Sequence, residues 1–311
     1  MTEPVGIDAG HGYTKAIRRN GARVLFPSLI CPAPATVDLG TFGAEAGIVG
    51  LNGHPYLVGE AARRYATPLW DRDKAADRDT AALLMVAAAQ LGLSGPLQLA
   101  TGLPLSWYGP QRRALKAALQ GQMAQVTLPG RPTTRLWLES VLVLPQGVAA
   151  AGPILAQPPY EPGPYLIVDF GYRTTDYIIV TKEATGRLVF DPAAAGSLEL
   201  GCHTMSATVA THLTTQYQVP FQAAALESLE AVAVRGQRID LGPIRQQAQQ
   251  AVVRRVARAL AEALDHQLDQ VLGVVAVGGG SAWLAEALPA VIQPAEAQWA
   301  NVAGYLASVV S

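Results

Sequence analysis

Apolar and polar positions along the chain fall into two series that repeat each other. The first opens on Val5-Gly6-Ile7, passes through Asp8-Ala9-Gly10-His11-Gly12-Tyr13 and resumes at Thr14-Lys15. The second opens on Leu166-Ile167-Val168, passes through Asp169-Phe170-Gly171-Tyr172-Arg173-Thr174 and resumes at Thr175-Asp176. One constant offset matches Asp8 to Asp169, Gly10 to Gly171 and Thr14 to Thr175. Each series predicts an apolar strand, a polar turn bearing glycine and a returning strand. In the first half, strands are expected over 15–17 and 23–26, joined by the hairpin dipeptide Asn20-Gly21. The alternation then loosens from 27 to about 94 around an alanine-rich helix near 80–91, and returns as a buried strand over 96–104. An amphipathic helix over 111–119 and a strand over 133–144 follow. In the second half, strands are expected over 177–180 and 188–190, a helix over 205–216, and a small subdomain opening at 226–233. A helix starting at Pro243 carries Val252, Val256, Leu260, Leu264 and Leu268 on one stripe, which suits core packing or a subunit interface. A buried strand over 273–277 ends in Gly278-Gly279-Gly280-Ser281, ahead of a helix over 282–288.

Length turns this repeat into a domain expectation. At 311 residues the chain exceeds the size at which one core stops growing. Two α/β domains are expected, over 1–158 and 159–311, with small subdomains inserted at about 28–95 and 196–264. Half the residues are hydrophobic, 15% are charged and the net charge is −1, which describes a compact chain rather than a disordered one. Apart from Arg254, Arg255 and Arg258 the basic residues are scattered, so direct nucleic-acid binding is not expected, and any DNA connection needs an adaptor. Cys31 and Cys202 are far apart and lack metal-ligand spacing, so neither a disulfide framework nor a zinc site is indicated. Residues 1–4 lead straight into the first strand without the basic and apolar regions of a signal peptide. The longest uncharged stretch, 140–160, is broken by Pro145, Pro153, Pro158 and Pro159, which a membrane helix tolerates poorly. A cytoplasmic protein without membrane association is expected.

The repeated turn suggests the chemistry. A strand running into Asp-x-Gly and a polar turn aims backbone N–H groups and a hydroxyl at an anion. Two such turns facing each other would hold a polyphosphate. The aspartates repel phosphate, but they can hold the water shell of a Mg²⁺ ion that neutralises it, so Asp8 and Asp169 are the candidate metal-associated residues. Gly10, His11, Gly12, Tyr13, Thr14 and Lys15 in the first turn, with Gly171, Tyr172, Arg173, Thr174 and Thr175 in the second, are the candidate phosphate contacts. Gln146 sits at a strand-to-helix junction between Pro145 and Gly147. Its amide can orient a water towards a phosphoryl group, or simply cap the helix. Gly278, Gly279 and Gly280 leave bare backbone at a strand end, where a flat ring or a phosphate can approach, and Ser281 opens the following helix.

In this order the motifs resemble the actin-like ATPase superfamily, which also includes sugar kinases and heat-shock chaperone ATPases. Residues 8–15 and 169–176 resemble its two phosphate motifs, 145–152 and 300–304 its two connecting helices, and 277–281 its adenosine motif. Residues 56–61 and 102–105, together with both turns, are similar to plasmid-segregation actins of the ParM type and to archaeal actin-like proteins. His11 stands where many actins carry Ser or Thr, Tyr172-Arg173 replaces a usual glycine pair, and Gln146 stands where segregation actins often carry glutamate. The resemblance implies an actin-like fold of two ribonuclease-H-like domains enclosing a nucleotide, with a C-terminal helix at about 300–311 packing back on the first domain. It also implies binding of ATP or ADP with Mg²⁺, ATP hydrolysis involving Gln146, Asp169 and Asp8, and self-assembly into filaments for DNA segregation or a related cytoskeletal task. A small-molecule kinase or a non-hydrolysing scaffold on the same fold are the alternatives.

Overall fold

The computed structural model describes residues 2–34, 47–66 and 73–310. The chain divides into two compact units. One contains Met1–Leu103, Trp107–Leu144 and Val302–Ser311, the other Pro104–Ser106 and Pro145–Asn301.

The first unit starts with the expected meander. β1 (Glu3–Ala9), β2 (Tyr13–Arg18) and β3 (Arg23–Pro27) pair antiparallel in sequence. The β2–β3 turn places Gly21 at φ +83°, a conformation that glycine adopts without a Cβ penalty, and the Asn20 side chain accepts from the Ala22 N–H. β4 (Ile30–Pro32), β5 (Ile48–Leu51) and β6 (His54–Val58) follow, then α1 (Arg78–Gln90), whose first turn is capped by the Asp77 carboxylate. β7 (Gly95–Leu103), α2 (Leu105–Leu119), β8 (Met123–Thr127) and β9 (Thr134–Pro145) complete the run. Among the described residues these strands form one sheet in the order β3-β2-β1-β7-β9-β8-β5-β6-β4, with β7 parallel to β1. The stretch expected to be a separate subdomain over 28–95 is thus partly continuous with the main sheet. β5 pairs with β8, and α1 buries Leu83, Leu84 and Val86 in the core that holds Ile7, Leu97 and Leu99. Positions 35–46 and 67–72 of that stretch lie outside the described residues.

The second unit repeats the same plan. It contains α3 (Val148–Leu155), β10 (Gly163–Phe170), β11 (Thr175–Lys182), β12 (Leu188–Leu198), α4 (Cys202–Tyr217), α5 (Ala223–Leu226), β13 (Ala231–Val234), β14 (Gln237–Asp240), α6 (Gly242–Leu264), β15 (Val274–Val277), α7 (Ser281–Leu284) and β16 (Val291–Ile292). Its sheet runs β12-β11-β10-β15-β16, an antiparallel meander followed by parallel neighbours, as β3-β2-β1-β7 does in the first unit. The expected boundary at 158 falls later than the division between the units, because Ala150, Ala151 and Leu155 of α3 bury against Tyr165 and Ile167 of β10. The α6 stripe is core, with Val252, Val256, Leu260 and Leu264 buried beside Leu166 and Val274. A smaller core of Val209, Leu213, Leu226, Val232, Val234 and Leu241 gathers α4, α5 and the β13–β14 hairpin. The helix expected over 282–288 is a single turn, α7, followed by turns.

The last helix, α8 (Ala300–Val310), begins in the second unit and continues into the first from Val302. Within the first unit it lies against β1 and β7, and glycines make that approach possible. A Cβ on Gly6 would stand 2.6 Å from the Val302 carbonyl oxygen and 2.9 Å from the Leu306 nitrogen, and a Cβ on Gly102 would collide with the buried Tyr305 hydroxyl. Gly6→Ala is therefore expected to destabilise the protein by about 1–3 kcal/mol, the usual cost of overpacking. Gly152→Ala, where a Cβ meets nothing within 4 Å in α3, is expected to be neutral or stabilising. Thermal melts of the two variants followed by circular dichroism check the contrast.

Candidate functional site

Both repeated turns are hairpin turns with a buried carboxylate at the end of the first strand. Asp8 faces Lys15 across β1–β2, and Asp169 faces Asp176 across β10–β11, at corresponding register positions. The aspartates are 4% and 5% exposed. Gly10 and Gly171 play matching parts, since a Cβ on either would stand about 3 Å from the carbonyl oxygen of the residue three places on (3.0 Å to Tyr13, 3.1 Å to Thr174). The Gly171 N–H is engaged inside its turn, donating to the Thr174 carbonyl at 2.9 Å.

The two copies differ in charge. In the first turn, Lys15 Nζ lies 3.9 Å from Asp8 Oδ2, and Lys74 Nζ donates to the Ala9 carbonyl at 2.5 Å. Lys74 is buried, and its desolvation lowers its pKa while the field of Asp8 opposes that shift. In the second turn the position matching Lys15 is Asp176, 2% exposed. Its carboxyl accepts from the Leu105 N–H at 3.1 Å, from the Ser197 hydroxyl and from the Thr174 hydroxyl at 3.3 Å. Burial, with the neighbouring charge of Asp169 adding to it, nevertheless pushes Asp176 up to about 7. The first turn is thus a carboxylate beside ammonium groups, and the second is a pair of carboxyls.

The second turn is held from behind by α4. Cys202 N–H donates to the Gly171 carbonyl at 3.1 Å and His203 N–H to the Tyr172 carbonyl at 2.8 Å. Gly201 permits this approach, because a Cβ there would stand 2.4 Å from the Tyr172 oxygen. In a trans peptide the N–H points opposite to the C=O, so the N–H groups of Tyr172 and Arg173 are directed away from α4. Two successive N–H groups pointing one way are the elements of an anion nest.

Several candidate side chains point inward. Thr14 Oγ1 lies 2.9 Å from Ser28 Oγ, and Thr175 donates to the Leu200 carbonyl at 2.6 Å, both threonines being fully buried. Their hydroxyls brace the turns instead of facing outward. Arg173 is buried with Nε 3.3 Å from Glu199, and Tyr172 donates to Glu227 at 2.5 Å and lies 3.1 Å from His203 Nδ1. His11 packs edge-on against Trp107, their ring centroids 5.3 Å apart, while Tyr13 is exposed and Gly12 half-buried.

The strand-to-helix junction and the glycine run both converge on Asp169. Gly147, at φ +75° ahead of α3, has its Cβ position 4.0 Å from Asp169 Cβ, which brings the half-buried Gln146 into the same neighbourhood. Among the three glycines, packing explains two. A Cβ on Gly278 would stand 2.4 Å from Asp169 Oδ1, and one on Gly280 would stand 2.9 Å from the Phe170 ring and 3.0 Å from Cys202 Sγ. Their N–H groups donate to the Ala297 and Phe170 carbonyls. Gly279 is the open one, exposed and with nothing within 4 Å of its Cβ position, while Ser281 is buried with its hydroxyl 3.4 Å from Gln293 Nε2.

Comparison with known proteins identifies this arrangement. Residues 6–148 match the model for the N-terminal domain of actin-like proteins, and residues 167–290 match that for the C-terminal part of the archaeal actin homologue MreB-like. The chain belongs to the actin-like superfamily. An archaeal actin homolog of Thermoplasma acidophilum is 25% identical over 324 aligned positions, covering 97% of both chains, and one of Thermoplasma volcanium is 25% identical with the same coverage. Among solved structures, a non-polymerisable quadruple mutant of pCBH ParM shares the fold at TM-score 0.85, with 20% identity over 100% of this chain and 99% of that one. A 15-stranded ParM filament from Clostridium botulinum does so at TM-score 0.84 and 20% identity, covering 99% and 98%. An archaeal actin homolog in complex with ADP does so at TM-score 0.79 and 23% identity, covering 99% of each. Among the described residues of this actin-like chain, no helix is long and apolar enough to cross a membrane.

Two residues of the site were not singled out from sequence, Lys74 and Asn301. Asn301 is buried, accepts from the Gly147 N–H at 2.8 Å and donates to Asp169 Oδ2 at 2.5 Å. An amide in a helix with no charged residue was the available signal.

Asp176 makes a pH dependence testable. Its folded pKa lies above the free value of 3.8, so its contribution to stability is fully present below that value and is lost as the pH rises through about 7. Asp176→Asn reproduces the protonated carboxyl, with one oxygen still accepting from Leu105 and an NH₂ facing Thr174. Relative to the native chain, the variant is expected to gain on the order of 5 °C in melting temperature between pH 4 and pH 8, read by calorimetry at matched ionic strength.

Proposed function

We propose that this chain binds ATP with Mg²⁺ through its two Asp-x-Gly turns, hydrolyses it, and assembles into filaments under nucleotide control. The observation that carries the reading is the repeat: a buried carboxylate at the same register position of two hairpins with the same topology. The donor chemistry fits a magnesium nucleotide. Mg²⁺ keeps most of its waters and takes one or two carboxylates plus phosphate oxygens rather than an all-protein cage. The second turn suits the cation better, because Asp169 faces a carboxyl whereas Asp8 sits beside Lys15 and Lys74. In this reading Asp169 orients the hydrated ion and Asp8 assists, with Lys15 and Lys74 facing the negative charge of the nucleotide.

Phosphate contacts would come from backbone N–H groups, those of Tyr172 and Arg173 above all, with Gly10, Gly12 and Tyr13 supplying the first turn. Gly279 is the point at which an adenine ring can approach bare backbone. Gln146 would position the attacking water, and ATP bound with Mg²⁺ supplies the phosphoryl group. The ADP complex of one archaeal relative supports nucleotide binding, and the ParM filament supports self-association. We place the protein in the cytoplasm, with a second copy of itself as its main partner and any link to DNA passing through an adaptor.

Sedimentation tests the whole reading. With ATP and Mg²⁺ the protein is expected to pellet above a critical concentration, with much less pelleting with ADP and Mg²⁺ or without nucleotide. A protein that stays monomeric in all three while phosphorylating an added small molecule is a kinase instead. Two variants separate the roles. Asp169→Ala is expected to abolish phosphate release, and unchanged turnover would exclude its role. Gln146→Ala is expected to slow release on the order of 10²-fold while nucleotide still binds, as for an interaction made mainly in the transition state. Weaker binding with normal turnover would make Gln146 a binding residue.

A further inference from the structure

Asn301 holds two parts of the site in one geometry. Its Oδ1 accepts from the Gly147 backbone N–H at 2.8 Å, and its Nδ2 donates to Asp169 Oδ2 at 2.5 Å. The amide orientation follows from the partners. A backbone N–H can only donate, so the atom facing it is the oxygen, and the NH₂ is thereby turned to the carboxylate. An NH₂ has no lone pair to offer, so Asp169 Oδ2 is held as an acceptor. The other oxygen, Oδ1, is confined by Gly278, whose Cβ position lies 2.4 Å from it. Asp169 therefore has one oxygen fixed by a hydrogen bond and one confined by packing.

The same amide fixes the chain next to Gln146. Gly147 is the N-cap of α3, at φ +75° and without a side-chain cap, and the Asn301 oxygen accepts from its N–H, one of the groups that a helix start leaves without an intrahelical partner. Moving the Gly147 N–H would move Gln146, its covalent neighbour. Asn301 is 132 residues from Asp169 and 154 from Gly147, so no local turn explains these bonds. Asn301 itself is buried at the start of α8, among Ala300, Val302 and Ala303 in sequence.

We propose that Asn301 is a positioning residue that sets Asp169 and the Gln146–Gly147 turn in register for Mg²⁺-bound nucleotide, an inference that rests on the nucleotide reading above. Groups that orient a metal-associated carboxylate are worth 10–100-fold in metal affinity when removed, and Asn301 touches the carboxylate and the water-positioning turn together. A purely structural amide would affect folding alone.

The test is binding of a fluorescent ATP analogue to the full chain, measured once in Mg²⁺ and once in EDTA, so that the ratio of the two affinities reports the metal-dependent part. Asn301→Ala is expected to lower that ratio at least about ten-fold, while the affinity in EDTA stays within about two-fold of native. Asn301→Ser, whose short hydroxyl cannot span both partners, is the second variant should the alanine form fail to fold, and it is expected to lower the ratio likewise. Melting temperatures establish that each variant is folded. If a folded variant keeps the native ratio and differs only in melting temperature, Asn301 is structural and the inference is overturned. If the native chain itself shows no Mg²⁺-enhanced binding, the nucleotide reading fails, and this inference falls with it by a separate and recognisable result.

Discussion

A carboxylate removed from water must be surrounded by donors or charge, and the second unit is built around meeting that demand at Asp169. Desolvation disfavours the charged form by an amount that neighbouring groups must offset. Asn301 supplies a donor from the last helix, Gly147 brings the start of α3 within 4 Å, and Gly278 brings the end of β15 against the remaining oxygen. Elements far apart in the chain thus meet at one side chain. Remove the carboxylate and the positive φ at Gly147, the bare backbone at Gly278 and the buried amide of Asn301 lose their common purpose.

The repeated hairpins show how one backbone plan serves two electrostatic roles. In both, an aspartate stands one residue before the end of the first strand, a glycine tolerates a close carbonyl, and a buried threonine lies at the start of the return. Among the differences between the two turns, the cross-strand partner of the aspartate changes from Lys15 to Asp176. That difference gives the first turn an ammonium against its carboxylate and the second a carboxyl pair, with Asp176 raised to about 7 by its burial and its neighbour. The first arrangement offers a carboxylate already partnered by Lys15, and the second offers two facing carboxyls. The duplicated turns are therefore not interchangeable, although the strand order around them is the same.

Glycine positions divide by cause. Gly6 and Gly102 exist so that α8 can approach β1 and β7, Gly201 so that α4 can reach the second turn, and Gly278 and Gly280 so that β15 can close on Asp169 and Phe170. Gly279 alone in its run meets nothing. Close backbone packing, rather than room for a ligand, is what most of these positions provide, and it places the carbonyls of residues 171 and 172 against the helix while turning the following N–H groups outward.

The strands, the turns and their repetition were legible in the sequence because each rests on local pattern: alternating apolar positions, Asn20-Gly21, the Asp-x-Gly turn and the stripe on α6. The superfamily was legible because those motifs occur in a fixed order. Side-chain direction was not. Thr14 and Thr175 look like outward hydroxyls from sequence, but tertiary packing turned both inward, to Ser28 and to the Leu200 carbonyl. The triple glycine reads as one open stretch, yet only contact with Asp169, Phe170 and Cys202 separates Gly278 and Gly280 from Gly279. Lys74 lies 65 residues from Ala9, and Asn301 lies 132 from Asp169, so no sequence window contains either pair. Local pattern determines where the chain turns and which residues can bear charge; which donor meets which buried carboxylate depends on the packing of distant elements, and only the folded structure decides it.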